Sequence, residues 1–252
     1  YTQCCGADAL ETQESTARTP GSVEKGLAGD FELSLGSWLS EAWSRVDGNK
    51  GTIWLATLIY VGLAFLVGMF FGVLNTPPPD PASVQPPTLI ESIGNLVSAL
   101  VLMPMAVGFA FLATAVAMGR KPNPKSLFAW YDKTLKIFLT ALIMNLLIFI
   151  GILLFVLPGI YLAVSYQIAL PLLVDKKLSP WQALETSRKI IGHCWFVVLG
   201  FDIAALLIVT ISTMLLGIPL IWTVPFLVIA FGILYRNLAG IESETLDRVL
   251  AS

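Results

Sequence analysis

Six apolar stretches of roughly twenty residues, separated by short polar segments, leave this chain few folds to choose from. A hydrocarbon core of ~30 Å takes about 20 residues of helix to cross, and a backbone that cannot pair within its own segment is not tolerated there. The stretches run over 52–74, 93–118, 137–157, 159–174, 195–216 and 219–235. Hydrophobic residues make up 56% of the chain and charged residues 13%, about half the charge density of a water-soluble domain. An all-α membrane protein with six transmembrane helices is therefore expected. The fourth and sixth stretches are short, with ~24–26 Å of helical rise, so a four-span count is the competing reading.

The charges set an orientation. The proline-rich segment NTPPPDPASVQPPT, the turn Leu157–Pro158–Gly159 and the turn Gly217–Ile218–Pro219 hold no basic residue. All 15 lysines and arginines fall in the alternate segments. Arg18, Lys25, Arg45 and Lys50 precede the first span; Arg120, Lys121, Lys125, Lys133 and Lys136 follow the second; Lys176, Lys177, Arg188 and Lys189 follow the fourth; Arg236 and Arg248 follow the sixth. The positive-inside rule puts these segments, and both termini, on the cytoplasmic side of the membrane. No basic n-region with an apolar h-region and cleavage site precedes Gly51, so the first span is expected to act as the insertion signal.

The spans pair off as three hairpins, each expected to follow a short amphipathic helix at the cytoplasmic surface: SWLSEAWSRVDGNKG from Ser37, NPKSLFAWYDKTLK from Asn123 and SPWQALETSRKIIGHC from Ser179. Asn123 and Ser179 are N-cap residues followed by proline at the first helical position, and Ser179 with Gln182 fits a capping box. Trp38, Leu39, Ala42, Trp43 and Val46 recur at helical spacing in the first elbow, which predicts a helix lying in the interface. Six of the seven tryptophans belong to these elbows or to span entrances, where an amphipathic ring suits the headgroup level.

The second and third units align at an offset of 56 to 57 residues, and Pro104, Pro158 and Pro219 mark where each returning helix begins or nearly begins. Arg120, Lys176 and Arg236 mark where each exits. The domain plan is a disordered tail over 1–32 and a membrane domain over 33–252, with repeats at roughly 33–121, 122–177 and 178–240. Repeats of equal orientation are related by an axis along the membrane normal, so a pseudo-threefold bundle is expected.

The run LPGIYLAVSYQIALPLLVDKKLSPWQALETSRKIIGHCWFVVLGF and the later IPLIWTVPFLVIAFGILYRNLAG resemble a broad bacterial family of six-helix membrane proteins. That family includes the YciC-like proteins and the membrane domain that precedes some glycerophosphodiester phosphodiesterases. The matching elements are Pro158 with Tyr161, Lys176 with Lys177, Ser187 with Arg188, and Trp195. The resemblance covers roughly 34–240 and is strongest in the last hundred residues. It implies the fold and assigns no activity, and no phosphodiesterase-like segment is among these residues.

Asp202 is the acidic residue well inside a span, about 10 Å beyond Trp195 by helical rise. An Asp at mid-helix costs ~2.5–3.5 kcal/mol on insertion scales, so it should face the bundle. Asn145 holds the matching place in the second repeat and Gln167 lies at a similar depth, which predicts an intramembrane polar cluster of Asp202, Asn145 and Gln167. The bland reading of that cluster is interhelical hydrogen bonding without chemistry.

Lys133, Lys136, Arg188 and Lys189 are candidate contacts for anionic lipid headgroups. His193 has no second ligand at metal spacing, and Cys4, Cys5 and Cys194 make no paired set, so neither metal, disulfide nor cofactor is expected. Ile241, Thr245, Leu246 and Val249 predict a further short helix able to dock a partner. Without a nucleophile elbow, a zinc-helix motif or paired carboxylates, the expected role is that of a non-enzymatic accessory or scaffold protein in envelope or lipid processes. Its expected partners are membrane lipids and a protein partner or a second copy, with no nucleic acid. A small transporter or channel with a polar site near Asp202 is the alternative.

Overall fold

The computed structural model describes residues 21–31, 33–74 and 88–251. The proline-rich loop and the two adjacent cysteines lie outside them. The described residues are helical: α1 (Val23–Ala28), α2 (Leu35–Ser44), α3 (Lys50–Leu74), α4 (Leu89–Ala117), 3-10 turns at Pro124–Phe128 and Tyr131–Lys133, α5 (Thr134–Leu154), α6 (Val156–Ser165), α7 (Ala169–Asp175), α8 (Pro180–Gly192), α9 (Trp195–Met214), α10 (Leu220–Leu238) and α11 (Ser243–Ala251). Six helical segments are long and apolar enough to cross a membrane, with α6 and α7 together making the fourth.

The boundaries follow local chemistry. Helix α4 starts at a capping box in which Thr88 and Glu91 satisfy each other's backbone N–H, so it begins well before Pro104, which lies inside the helix. The break before the fourth span comes at Phe155, in extended backbone, and not at Pro158. Pro158 occupies the first turn of α6, where its missing N–H would have had no helical partner in any case. Pro219 is an N-cap, so the three prolines keep a similar distance from the exit residues while playing three different local roles. Gly217 takes φ +75 in the turn before α10, a conformation that glycine adopts without strain.

Burial divides the spans into two sets. The second, fourth and sixth are the more buried; the first, third and fifth stand outside them with broad apolar faces exposed. Helices α4 and α10 form the most extensively packed pair, and at their crossing a Cβ on Gly232 would collide with the Ala113 carbonyl. Each inner span is buried mainly in the half nearer the basic residues: Met105–Ala117 in α4 apart from exposed Ala106 and half-buried Phe109, Val164–Asp175 through α6 and α7, and Pro225–Leu238 in α10, each of the latter two with a few half-buried positions. The remaining halves are partly or fully exposed at most positions, so burial among the described residues is concentrated at the basic end.

The elbows pack inward. Trp38 on α2 is fully buried, stacks on Phe201 of α9 at 4.3 Å and donates its indole N–H to the Ala230 carbonyl of α10 at 2.8 Å. The second elbow is a pair of 3-10 turns and no regular helix; its Trp130 is buried with its ring 4.9 Å from Phe111 of α4. Leu127 lies so close to α4 that a Cβ on Gly108 would come within 2.7 Å of its backbone. In the third elbow, α8 is capped as expected by Ser179 and Gln182, and buried Ser187 donates to the Ser165 carbonyl at 2.7 Å. Trp38 and Trp130 are therefore core residues and not part of an interfacial belt, whereas Trp43 and Trp181 are exposed.

Residues 23–28, within the segment expected as a tail, form helix α1. Gly21 just before it donates its N–H to the Arg236 carbonyl at 2.9 Å. At the other end α11 forms where a further helix was expected, but its apolar side is already covered: Thr245 and Val249 are buried and Leu246 packs on the core. It is tied down by Lys176–Glu242 at 2.6 Å, Lys177–Glu244 at 2.7 Å and Arg248–Asp132 at 2.9 Å.

Candidate functional site

The predicted polar cluster is a pair. The Gln167 side-chain amide donates to the Asp202 carboxylate, joining the fourth span to the fifth. Asn145 is exposed on α5 and donates to the Ala141 carbonyl of its own helix at 2.7 Å, so it stands apart from the pair. The similar depth expected of Gln167 brings it to Asp202, whereas the matching place of Asn145 in the repeat did not tell which face of α5 it occupies.

Gln167 sits where the fourth span is interrupted. Helix α6 ends at Ser165, the turn Tyr166–Gln167–Ile168 follows, and α7 starts at Ala169. Pro171 accounts for the break, since it has no N–H to offer the Gln167 carbonyl four residues back. Spanning helices break in this way where neighbours or a cavity absorb the freed backbone, and here both are present. The Ser165 carbonyl takes its hydrogen bond from Ser187, and Gln167 lines a cavity of about 390 Å³ between the inner spans.

That cavity is walled by Ala106, Ala110 and Ala113 of α4, Leu170 and Pro171 of α7, and Val228 and Phe231 of α10, among others. Gln167 is the one residue with a polar side chain among those lining it. A second cavity of about 250 Å³ lies against α3 and shares Ala106, Phe109 and Val228 with the first. The described residues thus leave two open, apolar clefts between the spans.

Two buried ionisable residues at the basic end carry more hydrogen bonds than Asp202. Arg236 of α10, 7% exposed, grips Glu41 of α2 with both terminal nitrogens at 2.7 and 2.9 Å, donates to the Ala117 carbonyl of α4 at 2.6 Å and also reaches Asn237. Burial alone would raise the Glu41 carboxyl, but the hydrogen bonds and charge of Arg236, with Arg45 beside it, outweigh burial and hold it below the usual carboxylate range. Asp175, 2% exposed, accepts from the Tyr235 hydroxyl at 2.9 Å and the Glu242 N–H at 3.1 Å, with Lys176 at 3.3 Å. A helical period did mark both residues: Ile229, Ile233 and Arg236, like Ile168, Leu172 and Asp175, fall at i, i+4 and i+7 on one buried face.

The expected headgroup contacts are largely engaged within the protein. Arg188 holds Glu185 through two bonds at 2.8 and 3.0 Å, and Lys189 lies 3.4 Å from the same carboxylate. The Arg188 hydrogen bonds keep the Glu185 carboxyl below its ordinary range. Lys133 donates to the Val174 carbonyl at 3.2 Å and lies over the Trp130 ring, while Lys136 is exposed. His193 is exposed at the end of α8, 3.1 Å from the Leu27 carbonyl. Cys194 is buried, which pushes its thiol up to about 11 and keeps it from acting as a thiolate nucleophile at neutral pH.

Comparison of the chain with protein-family models, with curated proteins and with solved structures returned no match.

Proposed function

We propose that this chain is a non-enzymatic polytopic protein of a bacterial inner membrane, with both termini in the cytoplasm, that serves as an accessory or scaffold in envelope or lipid processes. The observation that carries this reading is the use made of its interior polar groups. Arg236, Asp175, Ser187 and Gln167 each bond to a different helical element, and so act as fasteners between helices. The cavity that Gln167 lines is otherwise apolar, a poor fit for a charged solute.

The elbow contacts support a pseudo-threefold arrangement of three hairpins. The first elbow packs on the sixth span, the second on the second span and the third on the fourth, so each elbow meets the returning helix of the preceding unit in a cyclic order. The resemblance to six-helix bacterial membrane proteins agrees with this plan. A small transporter is the second reading, favoured by the broken fourth span and the Gln167–Asp202 pair beside the central cavity, since half-helices at a cavity are where carriers place their sites.

Two measurements separate the readings. Native electrophoresis of the chain extracted in mild detergent, followed by mass spectrometry, should show it in a stable stoichiometric complex with a partner or a second copy. In cells lacking the native gene, Asp202→Asn should restore the deletion phenotype as fully as the wild type at equal protein level. Failure to restore it at equal level would replace the scaffold reading with the transporter.

A further inference from the structure

We propose that the cavity between α4, α7 and α10 holds an acyl chain of a membrane phospholipid, inserted from the leaflet farther from the basic residues. The cavity lies wholly within spanning segments, at a depth where the surrounding medium is hydrocarbon. Ala113 and Ala106 stand about 10 and 21 Å of helical rise above Arg120, so the floor is near the basic end and the slot continues through the middle of a ~30 Å core. Chain ends of the farther leaflet reach that depth. The slot is open to the surroundings along this stretch: Ala106 is exposed, and Phe109, Leu170, Val228 and Phe231 are half-buried.

Size and chemistry agree with this occupant. Taking ~30 Å³ per methylene, near the share of one water in the liquid, 390 Å³ accepts on the order of a dozen carbons. A helix, ~10–12 Å across, would need more than twice that volume over the same length, so a protein segment does not fit. Ala106, Ala110 and Ala113 fall at i, i+4 and i+7 on α4, and their small side chains make the trough. Gln167 has its amide nitrogen engaged by Asp202, so the wall it contributes makes little demand for a polar ligand. Water in the slot would find few partners among these side chains, and an apolar chain gains dispersion contacts that an empty slot forgoes.

The test uses the full chain in vesicles of phosphatidylethanolamine and phosphatidylglycerol, doped with a phosphatidylcholine bearing a diazirine at the end of one acyl chain. After photolysis and digestion, adducts should concentrate on residues 106–113 and 227–231 above those at the outward-facing Phe196 and Leu206, which are 82% and 67% exposed. Ala106→Trp, and independently Val228→Trp, should each cut the slot adducts about tenfold, equivalent to ~1.4 kcal/mol of lost binding, and leave those at Phe196 and Leu206 unchanged. The two variants guard against one of them misfolding, which a melting curve would reveal.

Slot adducts no denser than those at Phe196, or indifferent to both tryptophans, would overturn the proposal. So would labelling of Ala110→Cys by a membrane-impermeant maleimide, which would mean a water-filled vestibule. Displacement of the labelled phospholipid by a free fatty acid at equal concentration would overturn the assignment to phospholipid. The inference stands apart from the scaffold reading: loss of function in Asp202→Asn would sink that reading and leave the acyl-chain site untouched.

Discussion

At the scale of single residues, the strongest interaction is the grip of Arg236 on Glu41, because both side chains are largely removed from solvent and the guanidinium forks onto the carboxylate. Removing one partner leaves the other charge buried and unpaired, so Arg236→Ala is expected to destabilise the protein by about 3 kcal/mol. Breaking the exposed Lys177–Glu244 pair, at 65% and 77% side-chain exposure, should cost less than ~1 kcal/mol. Thermal unfolding in a single detergent orders the two variants. Glu41 also brings a pH dependence. Its folded carboxyl sits below the ordinary glutamate value of 4.5, so its stabilising contribution is complete well above that pH and is lost as pH falls through the lower folded value. The stability gap between wild type and Glu41→Gln should be constant from neutral pH down to about 5 and narrow below that value; a gap that widened with acidification would contradict the assignment. Arg236 was legible as a basic residue marking the exit of the sixth span, and its burial was not. Its place at i+7 from Ile229 was the available clue, and the topology rule, which counts charges and ignores helix faces, passed over it.

At the scale of elements, what a linear sequence hides is which surface an amphipathic helix faces. The spacing of Trp38, Leu39, Ala42, Trp43 and Val46 gave a helix with one apolar side, and a helix at Leu35–Ser44 is what forms. Lipid headgroups and a neighbouring span make the same demand on that side, so the pattern could not choose between them. The structure chooses the bundle for Trp38, Ala42 and Val46 and leaves Trp43 57% exposed. Trp38→Ala should therefore cost ~3–5 kcal/mol as a buried aromatic deletion, measured by denaturation in mixed micelles, whereas Trp43→Ala should cost under ~1 kcal/mol. Near-equal costs would return the elbow to the interface. The second elbow shows a different limit: Asn123 and Pro124 start a turn as expected, but Leu127 and Trp130 are drawn against α4 within so few residues that 3-10 geometry replaces a full helix. Capping chemistry is local and was readable; the length of the element was set by its partner.

At the scale of the whole molecule, charge and shape divide along the same axis. The basic residues gather at the end where the inner spans are most buried and where Arg236, Asp175 and the Lys176–Glu242 bridge fasten them. The other end carries the turn at Gly217, with Leu216 91% exposed beside it, and the inner helices are less buried there. The count of six spans and the alternation of segments with and without basic residues were readable because the one follows from backbone satisfaction in hydrocarbon and the other from charge alone. The uneven burial along the inner spans was not, since it depends on which helix faces meet, as those of α4 and α10 do at Gly232. If the basic end faces the cytoplasm, the two ends must differ in reach from outside the cell. In a background with Cys4, Cys5 and Cys194 replaced by serine or alanine, Leu216→Cys should react with a membrane-impermeant maleimide in spheroplasts, while Lys121→Cys should react only after the membrane is permeabilised. The reverse pattern would invert the molecule in the membrane, placing Arg120, Lys121 and Lys125 outside against the pull of the positive-inside rule, and would leave the anionic inner leaflet facing the uncharged turns.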